Sequence, residues 1–152
     1  MKILDMNLAD EAATRALGAV FARVLEPGDV IRLEGDLGAG KSTLARGLLA
    51  AFAGVEEAPS PTFTLVETYE GPDFSLWHFD LYRLERPEEI WELGLEDALD
   101  GGVALIEWPE RAGNLLPAQA LTLRLEIAGA GRRATVEGGG NWRARLAAAG
   151  IA

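Results

Sequence analysis

Apolar residues recur at helical spacing through residues 8–25, LADEAATRALGAVFARVL. Leu8, Ala12, Ala16, Ala19, Val20 and Val24 fall on one stripe, which predicts an amphipathic helix with Asn7 or Asp10 as its cap. Pro27-Gly28 marks a turn, and residues 29–34, DVIRLE, read as a short strand. A glycine-rich loop over 35–40 leads into residues 41–53, KSTLARGLLAAFA, a strong helical pattern closed by Gly54. Pro59 and Pro61 then forbid a helix and favour an extended loop. FTLVETYE and FSLWHFDLY flank Gly71-Pro72-Asp73, so 63–82 reads as a hairpin. Residues 87–100 read as a helix with Pro87 in its first turn, broken by Gly101-Gly102. VALIEW, 103–108, is a continuous apolar run, the pattern of a strand covered on both faces. LTLRLEIA, 121–128, alternates and should have one wet face. GAGRR reads as a turn, RATVEG as a returning strand, and 141–149 as a closing helix.

Buried runs beside alternating strands predict an α/β fold, a mixed sheet with helices packed on it. A length of 152 residues fits one domain, spanning 1–152, with no internal repeat or linker.

Composition narrows the function. A formal net charge of −10 repels nucleic acid, so no DNA binding and no autonomous tRNA binding are expected. No apolar run reaches bilayer length and no signal-peptide core opens the chain, which predicts no membrane partner. The absence of cysteine is compatible with a reducing cytoplasm. The basic residues are twelve Arg and only two Lys, Lys2 and Lys41. A lysine at position 41 therefore departs from local habit, and a compact ammonium suits a place between phosphates.

Residues 35–42, GDLGAGKS, fit the phosphate-loop pattern GxxxxGK[ST]. Its glycines let backbone amides curl around an anion, and the following helix turns its free N–H groups and positive dipole end to the same place. This assigns ATP phosphates to the loop, with Lys41 bridging β- and γ-phosphates and the Ser42 hydroxyl holding Mg²⁺. Such a site needs a carboxylate at the end of a neighbouring buried strand. Glu107, ending VALIE, fits, and Asp80 in HFDLYR is the rival, touching Mg²⁺ through water or orienting the attacking water. His78, between Trp77 and Phe79, reads as a half-buried structural residue. Ser60, Thr62 and Thr64 occupy the place where a GTPase loop senses the γ-phosphate, although turn chemistry explains them equally well. Trp77, Trp91, Trp108 and Trp142 read as core or partner-contact residues.

Four segments together, GDLGAGKST (35–43), SPTFTLVE (60–67), HFDLYRL (78–84) and IEWPER (106–111), resemble the bacterial TsaE (YjeE) family. The likeness extends to LADEAATRALG near the start and GAGRRATV near the end. It implies a small P-loop NTPase fold whose mixed sheet joins antiparallel strands to a parallel core flanked by helices. It implies ATP and Mg²⁺ as cofactors and weak hydrolysis. Asp36, Leu37, Gly38, Ala39, Gly40, Lys41, Ser42 and Thr43 would hold the phosphates, and Ser42 and Glu107 the metal. Asp80 and Thr62 would orient water, and Glu11 and Arg132 would border the nucleotide. Members more often carry Thr at the place of Ser42, and the hydroxyl is kept here. The resemblance further implies a TsaB–TsaD heterodimer as partner, tRNA being met only through that complex, in making threonylcarbamoyladenosine.

Other classes fit less well. A small-molecule kinase needs a closing lid, and the nearest candidate, 86–102, is short and acidic. A GTPase expects an Asn-Lys-x-Asp-like segment, which Asn7, Asn114 and Asn141 do not supply. A binding module with a vestigial loop would not need both Asp80 and Glu107.

Overall fold

The apolar run at 103–107 is buried at all five positions, as a strand covered on both faces must be. A computed structural model describes residues 2–62 and 64–151. The chain runs β1 (Lys2–Leu8), α1 (Glu11–Val24), β2 (Val30–Glu34), α2 (Lys41–Ala53), β3 (Val66–Glu70), β4 (Ser75–Asp80), α3 (Glu89–Glu92), α4 (Leu95–Leu99), β5 (Val103–Glu107), β6 (Leu121–Ala128), β7 (Gly131–Glu137) and α5 (Trp142–Ala148). One seven-stranded sheet takes the order β1-β7-β6-β2-β5-β4-β3. Strands β6, β2, β5 and β4 are parallel neighbours, while β1, β7 and β3 add antiparallel edges. The expected mixed α/β sheet with a parallel centre is what the chain forms. No helix among the described residues is long and apolar enough to cross a membrane.

Strand parity sorts the core into two layers. Ile31 and Leu33 of β2, Leu105 of β5 and Leu123 of β6 pack with Leu17, Phe21, Leu44, Leu48 and Leu146 of the helices α1, α2 and α5. Val30, Ala104, Ile106 and Phe79 face the other way, against Ile90, Leu95, Ala98 and Leu116. Burying each of the larger side chains contributes about 1.5–3 kcal/mol.

Local expectations fail in five instructive places. The first helix starts at Glu11, because the Asp10 carboxylate accepts from the Ala13 amide at 2.9 Å and caps it there. Leu8 belongs to β1, a strand the helical spacing concealed, and pairs with Arg132. The predicted helix at 87–100 is two short helices, because Gly94 takes φ 100° between them. The hairpin forms, but its first strand starts only at Val66, since Leu65 adopts φ 68° and its amide bonds back to the Pro61 carbonyl at 2.7 Å. Phe63, also assigned to that strand, lies outside the described residues. The turn read over 129–133 is shorter, because β7 starts at Gly131; Arg132 is thus a strand residue, and Arg133 begins no turn but continues the returning strand that RATVEG predicts.

Two close approaches place the site. Helices α1 and α2 meet backbone to backbone: a Cβ on Gly18 would stand 2.2 Å from the Leu44 carbonyl oxygen, and one on Gly47 2.2 Å from that of Arg15. At the sheet edge Arg133 donates twice to Asp5, at 2.8 and 2.5 Å. That guanidinium holds the Asp5 carboxyl well below the usual carboxylate range and ties β7 to β1 next to Arg132.

Gly47→Ala should destabilise the fold by about 2 kcal/mol despite alanine's better helix propensity, because carbonyl backbone cannot yield as a side-chain tip can. A thermal melt should show Tm lowered by roughly 4–8 °C. An unchanged Tm would mean that the helix contact is looser than described.

Candidate functional site

Gly40 takes φ 106° as it enters α2, a left-handed conformation that glycine adopts without strain. No side chain caps this helix. The amides of Lys41, Ser42 and Thr43 precede the first intrahelical bond, from the Leu44 amide to the Gly40 carbonyl at 3.0 Å, so they need an outside acceptor. They open into a cleft of about 410 Å³ at the C-terminal ends of the parallel strands.

The opposite wall is acidic. Asp80 and Glu107 end β4 and β5 in register, which puts both carboxylates side by side on one face. Both residues are buried. Asp80 Oδ1 accepts from the Tyr82 amide at 3.1 Å, and Oδ2 from the Thr62 hydroxyl at 3.4 Å. Thr62 in turn meets the Ser60 hydroxyl at 2.9 Å. Glu107 Oε2 lies 2.7 Å from His78 Nε2, and His78 is 2 % exposed. The half-buried histidine expected from sequence is instead fully enclosed and bonded to the carboxylate.

Lys41 stands between the walls. Its side chain is buried, and its Nζ has no hydrogen-bond partner among the described residues. The ammonium rests on the Trp108 ring, 3.4 Å from the centroid. Burial lowers its pKa, against the pull of Glu107, Glu110, Asp80 and Asp36. Trp108 reaches it by taking φ 56°, and the Tyr82 ring braces the indole edge-on at 4.9 Å. A bulky residue held there costs of order 1–3 kcal/mol, so the surrounding packing must impose it. Arg132 closes the cleft from the start of β7, donating to the Gly38 carbonyl at 3.0 Å and to that of Gly131 at 2.8 Å.

The cleft thus gathers Glu11, Leu37, Gly38, Gly40, Lys41, Ser42, Thr43, Thr62, Asp80, Glu107 and Arg132 of the sequence-predicted set. Asp36 and Ala39 line the adjoining groove instead. Sequence reasoning missed Trp108 as a partner of Lys41, and Asp10 and Thr14 as lining residues. It also missed the tie between His78 and Glu107, although His78 sits two positions before Asp80 and so shares its face.

Chemically, an unpartnered ammonium and free helix amides facing paired carboxylates suit an anion bound together with a divalent cation. No group of three His, Cys, Asp or Glu side chains able to hold a metal occurs among the described residues. Mg²⁺ takes one or two protein oxygens and completes its shell with phosphate oxygens and water. Ser42 and Glu107, with Asp80 beside it, are the donors at hand.

Residues 8–135 match the family described as "Threonylcarbamoyl adenosine biosynthesis protein TsaE". The Rickettsia bellii "tRNA threonylcarbamoyladenosine biosynthesis protein TsaE" is 44% identical over 121 residues, 79% of this chain and 84% of that one. The Haemophilus influenzae protein of the same name is 37% identical over 132 residues, 83% and 84% of the two chains. The crystal structure of Bacillus subtilis YdiB superposes with a TM-score of 0.80 at 32% identity, covering 97% of this chain and 94% of the other.

The ammonium is the form that attracts phosphate, and burial makes it give up its proton at a lower pH than an ordinary lysine, ~10.4. Affinity for ADP should therefore begin to fall below that pH, as calorimetry across the alkaline range would record. The fall should be absent from Lys41→Ala. A wild-type affinity that stays flat until ~10.4 would remove Lys41 from the anion site.

Proposed function

The chain belongs to the TsaE family, which serves tRNA threonylcarbamoyladenosine biosynthesis, and on that premise we propose that it is a Mg²⁺-dependent ATPase accessory to the modifying machinery. The observation that carries this reading is the buried, unpartnered Lys41 ammonium beside free loop amides and opposite two carboxylates.

In this reading the backbone of 36–43 and Lys41 hold the phosphates of ATP, and Ser42 and Glu107 hold Mg²⁺. The cation supplies charge neutralisation at the phosphate oxygens. Asp80, fixed by the Tyr82 amide and Thr62, orients the water that attacks. Arg132 and Glu11 border the nucleotide. Hydrolysis is slow when the protein is alone. A cytoplasmic TsaB–TsaD heterodimer is the partner, and the ATP cycle supports its turnover. The tRNA is reached only through that complex, as a net charge of −10 favours.

The loop at 58–64 is the element proposed to respond to the nucleotide. Its Thr62 already touches Asp80, so a change at the γ-phosphate has a direct route into it. Hydrogen exchange there should be slower with a non-hydrolysable ATP analogue than with ADP, and equal protection would sink the switch.

Steady-state ATP hydrolysis, alone and with the matching TsaB–TsaD pair, tests the function. The pair should stimulate turnover, and Lys41→Ala should abolish the stimulation. Lys41→Ala should also weaken nucleotide binding about ten- to hundredfold, the worth of one charge-assisted hydrogen bond. Glu107→Ala should lose metal dependence and turnover instead. Hydrolysis indifferent to the pair would overturn the accessory role, and unchanged Mg²⁺ dependence in Glu107→Ala would move the metal to Asp80.

A further inference from the structure

Buried histidine is an expensive way to fill a sheet face. His78 lies on the same side of the sheet as Leu76 and Leu105, in the layer packed by α2, where an aliphatic side chain would cost nothing in desolvation. Among the described residues its buried Nδ1 has no hydrogen-bond partner, and the ring's one polar contact is from Nε2 to Glu107 Oε2, at 2.7 Å. A carboxylate accepts and does not donate, so Nε2 carries the hydrogen.

The two neighbouring carboxylates are held by different means. Asp80 is short and is fixed on both oxygens, by a backbone amide and by Thr62. Glu107 has one more rotatable bond, and His78 supplies its side-chain hydrogen bond among the described residues. With Oε2 engaged, Oε1 is the oxygen left for the cleft that Glu107 lines.

The geometry points to His78 as a positioning residue that pins Glu107 so that the carboxylate offers a single oxygen to a divalent cation, favouring Mg²⁺ over Ca²⁺. The reason is coordination chemistry. Mg²⁺ is small and takes carboxylates through one oxygen, whereas Ca²⁺ accepts both oxygens of one group and tolerates irregular shells. A Glu107 free to rotate would serve Ca²⁺ well and Mg²⁺ poorly. Hydrogen bonds behind a metal ligand commonly change metal affinity 10–100-fold. This inference rests on the reading of Glu107 as a metal ligand.

Calorimetric ADP binding to the full-length protein, titrated separately with Mg²⁺ and Ca²⁺, tests it. His78→Leu should keep metal-free ADP affinity, raise the Mg²⁺ concentration for half-maximal effect about tenfold, and narrow the preference for Mg²⁺ over Ca²⁺. His78→Gln places an amide N–H near the position of Nε2 and should restore both. His78→Asn falls short of it and should not, so the Gln and Asn pair decides the matter even where the leucine variant fails to fold. Equal Mg²⁺ dependence in the wild-type, Gln and Asn proteins would overturn the inference, as would a Gln variant no better than Asn. Wild-type ADP affinity indifferent to Mg²⁺ would instead overturn the metal reading of Glu107, and the role of His78 with it.

Discussion

Lys41 carries its ammonium group onto the floor of a cleft where no atom of the described residues accepts a hydrogen bond from it. Burying a cation this way is unfavourable, and it lowers the pKa of the group. The surroundings make it bearable without removing it. Glu107, Glu110, Asp80 and Asp36 lend long-range attraction, and the face of Trp108 lends a cation–π contact. None of these satisfies the N–H donors, so the folded protein keeps an unmet demand for acceptor oxygens at that place. The backbone amides at the head of α2 make the same demand, and a polyphosphate would meet both.

The rest of the architecture holds that demand in position. Parallel strands end together at one edge of the sheet, so β4 and β5 deliver Asp80 and Glu107 in register, facing the loop that follows β2. Ligand sites in such sheets form beyond the carboxyl ends of the strands. The antiparallel additions serve the same edge. The start of β7 brings Arg132 onto the Gly38 carbonyl, and β1 steadies β7 through Asp5 and Arg133. His78, Thr62 and Tyr82 then restrain the carboxylates that the strands have placed.

Much of this was legible in the sequence where chemistry is local. The glycine-rich loop, the lysine at its end and the apolar strand leading to Glu107 all carry short-range patterns. The mixed sheet followed from continuous runs set beside alternating ones. What escaped depended on long-range pairing or on unusual backbone. Strand β1 was hidden because Leu8 also fits the stripe of the following helix, and only pairing with β7 decides between them. Trp108 could not be placed because nothing local predicts φ 56° in a bulky residue whose ring then lies against Lys41. The break at Gly94 was readable in principle, but the helical pattern on both sides masked it.

The bare contact between α1 and α2 has a mechanical meaning. With Gly18 against Leu44 and Gly47 against Arg15, the helices have no side-chain cushion between them over which to slide. Asp10, Glu11 and Thr14 at the head of α1 are thereby fixed to the same frame as Lys41, Ser42 and Thr43 at the head of α2. The cleft has one rigid jaw. Any change of shape on filling the cleft would fall to the facing parts, the 58–62 loop and the start of β7, which are the parts not tied to that frame.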